Sequence, residues 1–302
     1  MIKSPKSTIP VEPVFARHET FHPRFSWLKK GFDAAENTPG VFLKDDAPVI
    51  LGVGKNMVRS VRYWCRAFKV LRDDEPTEFG QELLSNDGLD PFLEDPASLW
   101  LLHWQLLKPT CEAAAWYYVF NKFQRTEFNE KDLLDELRSY RNELGIRTAE
   151  SSLKKDISCI LRMYSKQSKK TKLIEDSIDC PFTGLGILHA TEYTKQYTFR
   201  VGSKVNLPPE VIVYACLEFA ANNREGQKTI SVSSLSYEPG SPGLAFKLPE
   251  SAICDAIERV SGQNQSIFLS DTAGLIQFSF TEEPTSLAAN ILNNYYQKRG
   301  NN

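Results

Sequence analysis

The sequence predicts a mainly α-helical α+β protein, with tandem helix-turn-helix modules of winged-helix type around a central helical scaffold. Two amphipathic helix pairs with glycine-containing turns, DAPVILGVGKNMVRSVRYWCRAFKVL and NEKDLLDELRSYRNELGIRTAESSLKKDISCILRMY, predict the modules. SLWLLHWQLLK and CEAAAWYYVFNKF are apolar on nearly every side and predict the scaffold. IFLSDTAGLIQFSF reads as two strands with a glycine-containing turn, the shape of a wing. Boundaries are expected at residues 1–90 for the first module, 91–205 for the scaffold with a second module, and 206–302 for a third.

Taken in order, IPVEPVFAR carries Pro10 and Pro13 and reads as extended. Pro23 suits the first position of a helix whose stripe is Phe25, Leu28 and Phe32. A short helix over 46–52 carries Val49, Ile50 and Leu51, and Gly52 and Gly54 allow the turn into a helix over 55–70. That helix buries Met57, Val58, Val61, Cys65 and Phe68. It turns Lys55, Asn56, Arg59, Ser60, Arg62, Tyr63, Arg66 and Lys69 outward. A short helix at 77–85 and an acidic, turn-rich loop follow. The scaffold helices join at Pro109 and hold Trp100, Trp104 and Trp116, with His103 expected as a core histidine. In the second module Leu133, Leu134 and Leu137, then Leu153, Ile157, Ile160 and Leu161, point inward. The lysine-rich run SKQSKKTK comes next. PPEVIVYACLEFAAN predicts a helix, KTISVSSLSY a strand, SPGLAFKL and PESAICDAIERVSG a helix pair, and SLAANILNNYYQKR a closing helix. Ser241 is expected to cap the helix that follows it. The modules echo one another in architecture without a numerical sequence repeat.

Two motifs suggest chemistry they do not support. HETFH, His18 to His22, spells the zinc-protease signature H-E-x-x-H. A zincin needs both histidines on one helical face, and Pro23 biases His22 away from helical geometry. The segment therefore reads as a polar loop of Arg17, His18, Glu19, His22 and Arg24 leading into a helix. GVGKN resembles a phosphate-binding loop, but Val49 stands where that loop needs glycine and Asn56 where it needs Ser or Thr.

The chain has 302 residues and a net charge of −2, distributed unevenly. Residues 1–72 carry 13 basic and 6 acidic side chains, residues 73–145 carry 6 and 16, and residues 151–172 carry 7 and 1. A basic head and a local basic stripe suit a polyanion partner. No apolar run approaches the roughly 18–20 residues of a membrane span, and the first residues have no signal-peptide core. The six cysteines are spaced too widely for zinc-ribbon or redox pairs and read as reduced, buried thiols of a cytoplasmic protein. No organic cofactor or membrane partner is expected.

The helix over 55–69 has five basic residues and no acidic one, which suits a recognition helix in a DNA groove. The expected DNA contacts are Arg17, Lys29, Lys30, Lys55, Asn56, Arg59, Arg62 and Arg66, joined by Lys154 and Lys155 from the second module. Cleaving a phosphodiester calls for a charge stabiliser, commonly a divalent metal such as Mg or Mn held by carboxylates. Glu19, Asp33, Asp45 and Asp46 are candidates, with Glu19 and Asp33 foremost. His18 would act as general acid or base, and Arg17 or Arg24 would hold the phosphate. No DxD, ExK or HNH-like run is present. A DNA nickase, a non-catalytic winged-helix targeting subunit, and a scaffold using the acidic middle all remain open.

RHETFHPRFSWLKKGFDA, LGVGKNMVRSVRYWCRAFKV and GLDPFLEDPASLWLLHW resemble segments of the SspB-type family of bacterial DNA phosphorothioation systems, with weaker echoes in SIDCPFTGLGILH and SYEPGSPGLAFKL. The resemblance implies nicking of one strand of double-stranded DNA to admit sulfur, in a defence system. It implies work alongside a cysteine desulfurase, an ATP pyrophosphatase and an ATPase. It carries over His18, Glu19 and Arg24 and the helix positions Lys55, Asn56 and Arg59, without saying which residues cut.

Overall fold

A computed structural model describes residues 14–165, 180–191, 195–223, 226–272 and 274–300. It shows an α+β protein of packed helices with small antiparallel sheets. The head is built from α1 (Phe25–Asn37), α2 (Ala47–Leu51) and α3 (Lys55–Ala67), closed by a hairpin of β1 (Leu71–Arg72) and β2 (Glu75–Pro76). Pro23 lies outside α1, with Arg24 as its N-cap, two residues later than the sequence suggests. Gly52 ends α2 in the left-handed region, φ 60°, which frees the chain to turn directly into α3. After α4 (Glu78–Leu84), whose cap Thr77 accepts from the Gly80 amide, comes α5 (Pro96–Leu107). Asp95 caps α5 through the Ala97 amide, with Pro96 in its first turn.

Helix α5 is the axis of the molecule: its residues from Ala97 to Leu107 are all buried. His103, fully enclosed, sits between Tyr164 Oη at 2.8 Å and the Ala245 carbonyl at 2.9 Å. Burial pushes its imidazole down to about 3, so it is a neutral core residue, as the sequence suggests. Around this axis run α6 (Ala114–Asn121), β3 (Glu127–Phe128), α7 (Glu130–Glu143), α8 (Glu150–Tyr164), β4 (Leu188–Ala190) and β5 (Tyr197–Phe199). An Asn129–Asp132 capping box fixes the start of α7. The C-terminal part comprises α9 (Pro209–Asn223), β6 (Thr229–Ser231), α10 (Val232–Tyr237), α11 (Pro242–Phe246), α12 (Glu250–Ser261), β7 (Ile267–Thr272), β8 (Leu275–Phe280) and α13 (Pro284–Gly300).

The strand expected from KTISVSSLSY ends after three residues. Ser231 then accepts from the Ser234 amide and starts α10, so a side-chain cap overrides the local β preference. Ser241 caps α11 through the Leu244 amide, as expected. A Cβ at Gly243 would stand 2.5 Å from the Ser236 backbone, so only glycine lets α10 and α11 approach so closely.

One pattern recurs. From α6 to β5 the order is helix, strand, helix, helix, strand, strand, and the sheet order is β3-β5-β4. From α9 to β8 the order is the same, with α10 and α11 together filling the second helix position, and the sheet order is β6-β8-β7. Buried side chains from head, middle and C-terminal part join in one hydrophobic cluster. No disulfide links cysteines among the described residues, and Cys65, Cys111, Cys159, Cys180 and Cys216 are buried. No helix among those residues is long and apolar enough to cross a membrane.

Two lysines sit against the core without acidic partners among the described residues. Lys204 Nζ donates to the Gly202, Phe246 and Lys247 carbonyls at 2.8, 2.6 and 2.9 Å. Lys247 Nζ donates to the Phe120 carbonyl at 2.8 Å and lies 4.5 Å from the Phe199 ring centre. Burial pushes each down to about 7. An unfolded lysine titrates near ~10.4. Above about pH 7 the unfolded chain therefore holds protons that the native protein lacks, and stability rises with pH. Burial raises the thiols of Cys65, Cys111, Cys159 and Cys216, which reverses the trend above their unfolded value of about 8.5. The melting temperature is expected to climb between about pH 6.5 and about pH 8.5 and then level or fall. Lys247→Met should flatten the climb; a wild-type profile that is flat or falls in that window contradicts this account.

Candidate nucleic-acid interface

The loop before α1 is pinned at several points. Val14 bridges to Ala113, and the Ala16 amide donates to both Asp156 carboxylate oxygens at 2.9 and 3.1 Å. His18 is fully buried, with Nε2 2.9 Å from Asp156 Oδ1. Its ring lies against Trp64 and edge-on to Trp116. Burial raises the Asp156 carboxyl pKa, and contact with His18 opposes that shift. The Phe21 carbonyl accepts from Trp64 Nε1 of α3 at 3.0 Å, and the Thr20 carbonyl accepts from Arg162 Nη2 of α8 at 2.8 Å. The loop is thus a wedge between α3 and α8.

Its backbone is strained. Ala16, Glu19 and Thr20 have φ of 56°, 50° and 74°. Each such non-glycine residue costs on the order of 1–3 kcal/mol and persists only where its surroundings impose it. The strain holds Glu19 at the rim, 3.9 Å from Arg59 Nη1 of α3, with their side chains 37% and 59% exposed. Arg17, two residues before Glu19, is exposed. On α8, Lys155, Ser158 and Arg162 share one face by helical spacing, and Arg162 is the residue that grips the loop. The cationic faces of α3 and α8, far apart in sequence, therefore flank the same loop.

Not every expected contact is on that surface. Lys55 and Asn56 are exposed in the first turn of α3. Arg62 is held by Asp74 through two hydrogen bonds of 2.7 Å, and Arg66 by Glu112 at 3.2 Å. Lys69 Nζ caps the C-terminal end of α5, donating to the Gln105 and Lys108 carbonyls, and Ser60 and Tyr63 are buried. The outward face expected along the whole of α3 is thus confined to its N-terminal half, because the β1–β2 hairpin and the segment after α5 pack against the rest. Arg24 lies over the Trp27 ring, and Lys154 is paired with Glu150 at 2.8 Å, whereas Lys155 makes no ion pair among the described residues. Lys29 is paired with Asp33 at 2.6 Å, and Lys30 lies beside it on α1. Asp45 and Asp46 are exposed. The lysine run over 166–172 lies outside the described residues.

The metal candidates are separated by their partners: Glu19 faces Arg59, and Asp33 faces Lys29. No three His, Cys, Asp or Glu side chains among the described residues converge as a metal-holding group. Hard cations at phosphates are commonly held by one or two carboxylates completed by substrate oxygens. Glu19 is the loop's one carboxylate and already has a cationic neighbour, so these residues do not by themselves make a metal site.

Sequence reasoning missed Asp156, and a signal for it existed. It is the one acid within 151–172 and falls three residues after Leu153 and four before Ile160, on the apolar stripe. A carboxylate there needs a buried partner.

A repeated strand-and-helix plan, with a pinned polar loop between two basic helix faces, marks the chain as an α+β protein. The chain belongs to the SspB-type family. A family model described as protein of unknown function (DUF4007) matches residues 15–296. A crystal structure of magnesium ion-bound SspB is similar to the chain with a TM-score of 0.88 and 39% identity, covering 94% of this chain and 88% of that one. A second SspB crystal structure gives a TM-score of 0.87 and 40% identity over the same shares. No curated protein matches the chain.

Proposed function

We propose that this protein handles double-stranded DNA as a component of a phosphorothioation system, and that the duplex lies across the loop between α3 and α8. The observation that carries the reading is the strained loop itself. Three left-handed residues are held in place so that Arg17 and Glu19 stand between two cationic helix faces. The recurrent strand order suits winged-helix modules, with α3 and α8 in the recognition position of the first two. The third module is excluded from DNA contact, because α12 turns Asp255 and Glu258 outward with only Arg259 to offset them. Segments 1–90, 91–205 and 206–302 serve as the module boundaries. The cysteine desulfurase, ATP pyrophosphatase and ATPase of such a system are the expected partners.

Nicking of one strand is the activity that membership of the family favours. In this reading Arg17 and Arg24 engage phosphate, Glu19 faces the scissile strand, and the enclosed His18 with Asp156 holds the loop. A magnesium-bound SspB makes Mg or Mn the ion to test. A supercoiled plasmid incubated with Mg²⁺ or Mn²⁺ is expected to yield open circles, suppressed by chelator. Glu19→Ala should remove the product while leaving duplex affinity within a few-fold. The second reading, a non-catalytic targeting subunit, is favoured by the lack of a converging metal-ligand group among the described residues. Duplex binding without open circles under either metal would select it and overturn nicking.

A further inference from the structure

We propose that the groove along α1 binds an unstacked base of single-stranded DNA. The inference rests on the DNA-handling reading and assigns it a second substrate form. The groove is a cavity of about 630 Å³ between α1, α2 and the loop before α5, within the ~300–1,000 Å³ range of small-ligand sites. Two of its walls are aromatic and open to solvent: Phe25 is 51% exposed and Phe92 69%. Folding leaves both rings in water, although the protein buries most of its other aromatic side chains. Ser26 and Asn37 add hydrogen-bonding groups beside the rings. Lys29 and Lys30 lie along the same lining. Lys29 is neutralised by Asp33, and Lys30 makes no ion pair among the described residues, so the groove offers one free cation beside two π faces.

Aromatic rings beside a cation are how single strands are gripped. Every base offers a π face once unstacked, and the cation follows the backbone. A duplex presents no free π face along its length and cannot use this lining. Ile50, which also lines the groove, leads through the Gly52–Gly54 turn to Lys55 at the exposed start of α3. A strand leaving the proposed duplex surface at α3 would therefore meet the groove next.

The test uses the full chain and a short single-stranded oligonucleotide carrying a fluorescent adenine analogue that is quenched by stacking. The wild type should quench it. Phe92→Leu, which keeps the apolar volume and removes the π face, should abolish most quenching and weaken single-strand affinity about tenfold. Phe92→Tyr should restore both, and Lys30→Ala should lower the salt dependence of binding. Blunt duplex affinity should stay within two-fold in both Phe92 variants. Wild-type quenching retained in both Phe92→Leu and Phe25→Leu overturns the proposal. So does self-association in sedimentation that Phe92→Leu abolishes while single-strand binding is unaltered, which would make the groove an interface between copies. Duplex binding without quenching defeats the groove alone; quenching without duplex binding defeats the duplex surface alone.

Discussion

Asp156→Ala is expected to lower stability by about 3–5 kcal/mol, the cost of breaking a buried, hydrogen-bonded ionisable pair. The substitution strips the Ala16 amide of both acceptors and leaves His18 enclosed without its partner. His18 Nδ1 has no hydrogen-bond partner among the described residues either, so the ring would be left without any there. For a chain of this size the melting temperature should fall by roughly 5–8 °C. The loop should become sensitive to limited proteolysis at Arg17, while the distant α9–α13 packing keeps its protection in hydrogen exchange. Asp156→Asn keeps one carbonyl acceptor for Ala16 and should lose distinctly less. A melting temperature for Asp156→Ala within about 2 °C of wild type would show that the loop is not held from α8.

The paired substitution Arg59→Ala with Lys155→Ala should weaken duplex binding by roughly tenfold per residue, the scale of one charge-assisted hydrogen bond. The two residues lie on different helices on either side of the loop, so their effects should add. The slope of binding against salt should shrink by about one for each. Both side chains are exposed, so thermal stability should hardly change. Arg62→Ala gives the opposite pattern: it strands the buried Asp74 carboxylate and should cost stability more than affinity. Gel shifts at two salt concentrations, with melts on the same preparations, separate the cases. If Arg62→Ala weakened binding with an unaltered melt while the pair changed nothing, the DNA would lie elsewhere.

The comparison between Arg59 and Arg62 also marks how far the sequence carries. Both stand on α3, three residues apart, and nothing local distinguishes them. One reaches solvent beside Glu19, and the other is taken by Asp74 from the hairpin that follows. HETFH was readable as a loop because Pro23 disfavours the helix a zincin needs at His22, and that is how it folds. Its anchor 138 residues away was not readable as a partner, because nothing local encodes which long-range pair forms.

By itself the sequence determined most of the helices, the Gly52 turn, the Ser241 cap, a central helix apolar on nearly every side and the family, since periodicity, capping and punctuation act within a few residues. Tertiary structure alone decided which cations stay open to a polyanion and which are neutralised, and it set Glu19 on a strained rim. The reason is physical: a charge takes its meaning from what lies within a few ångströms, and those neighbours come from segments the chain brings together only by folding.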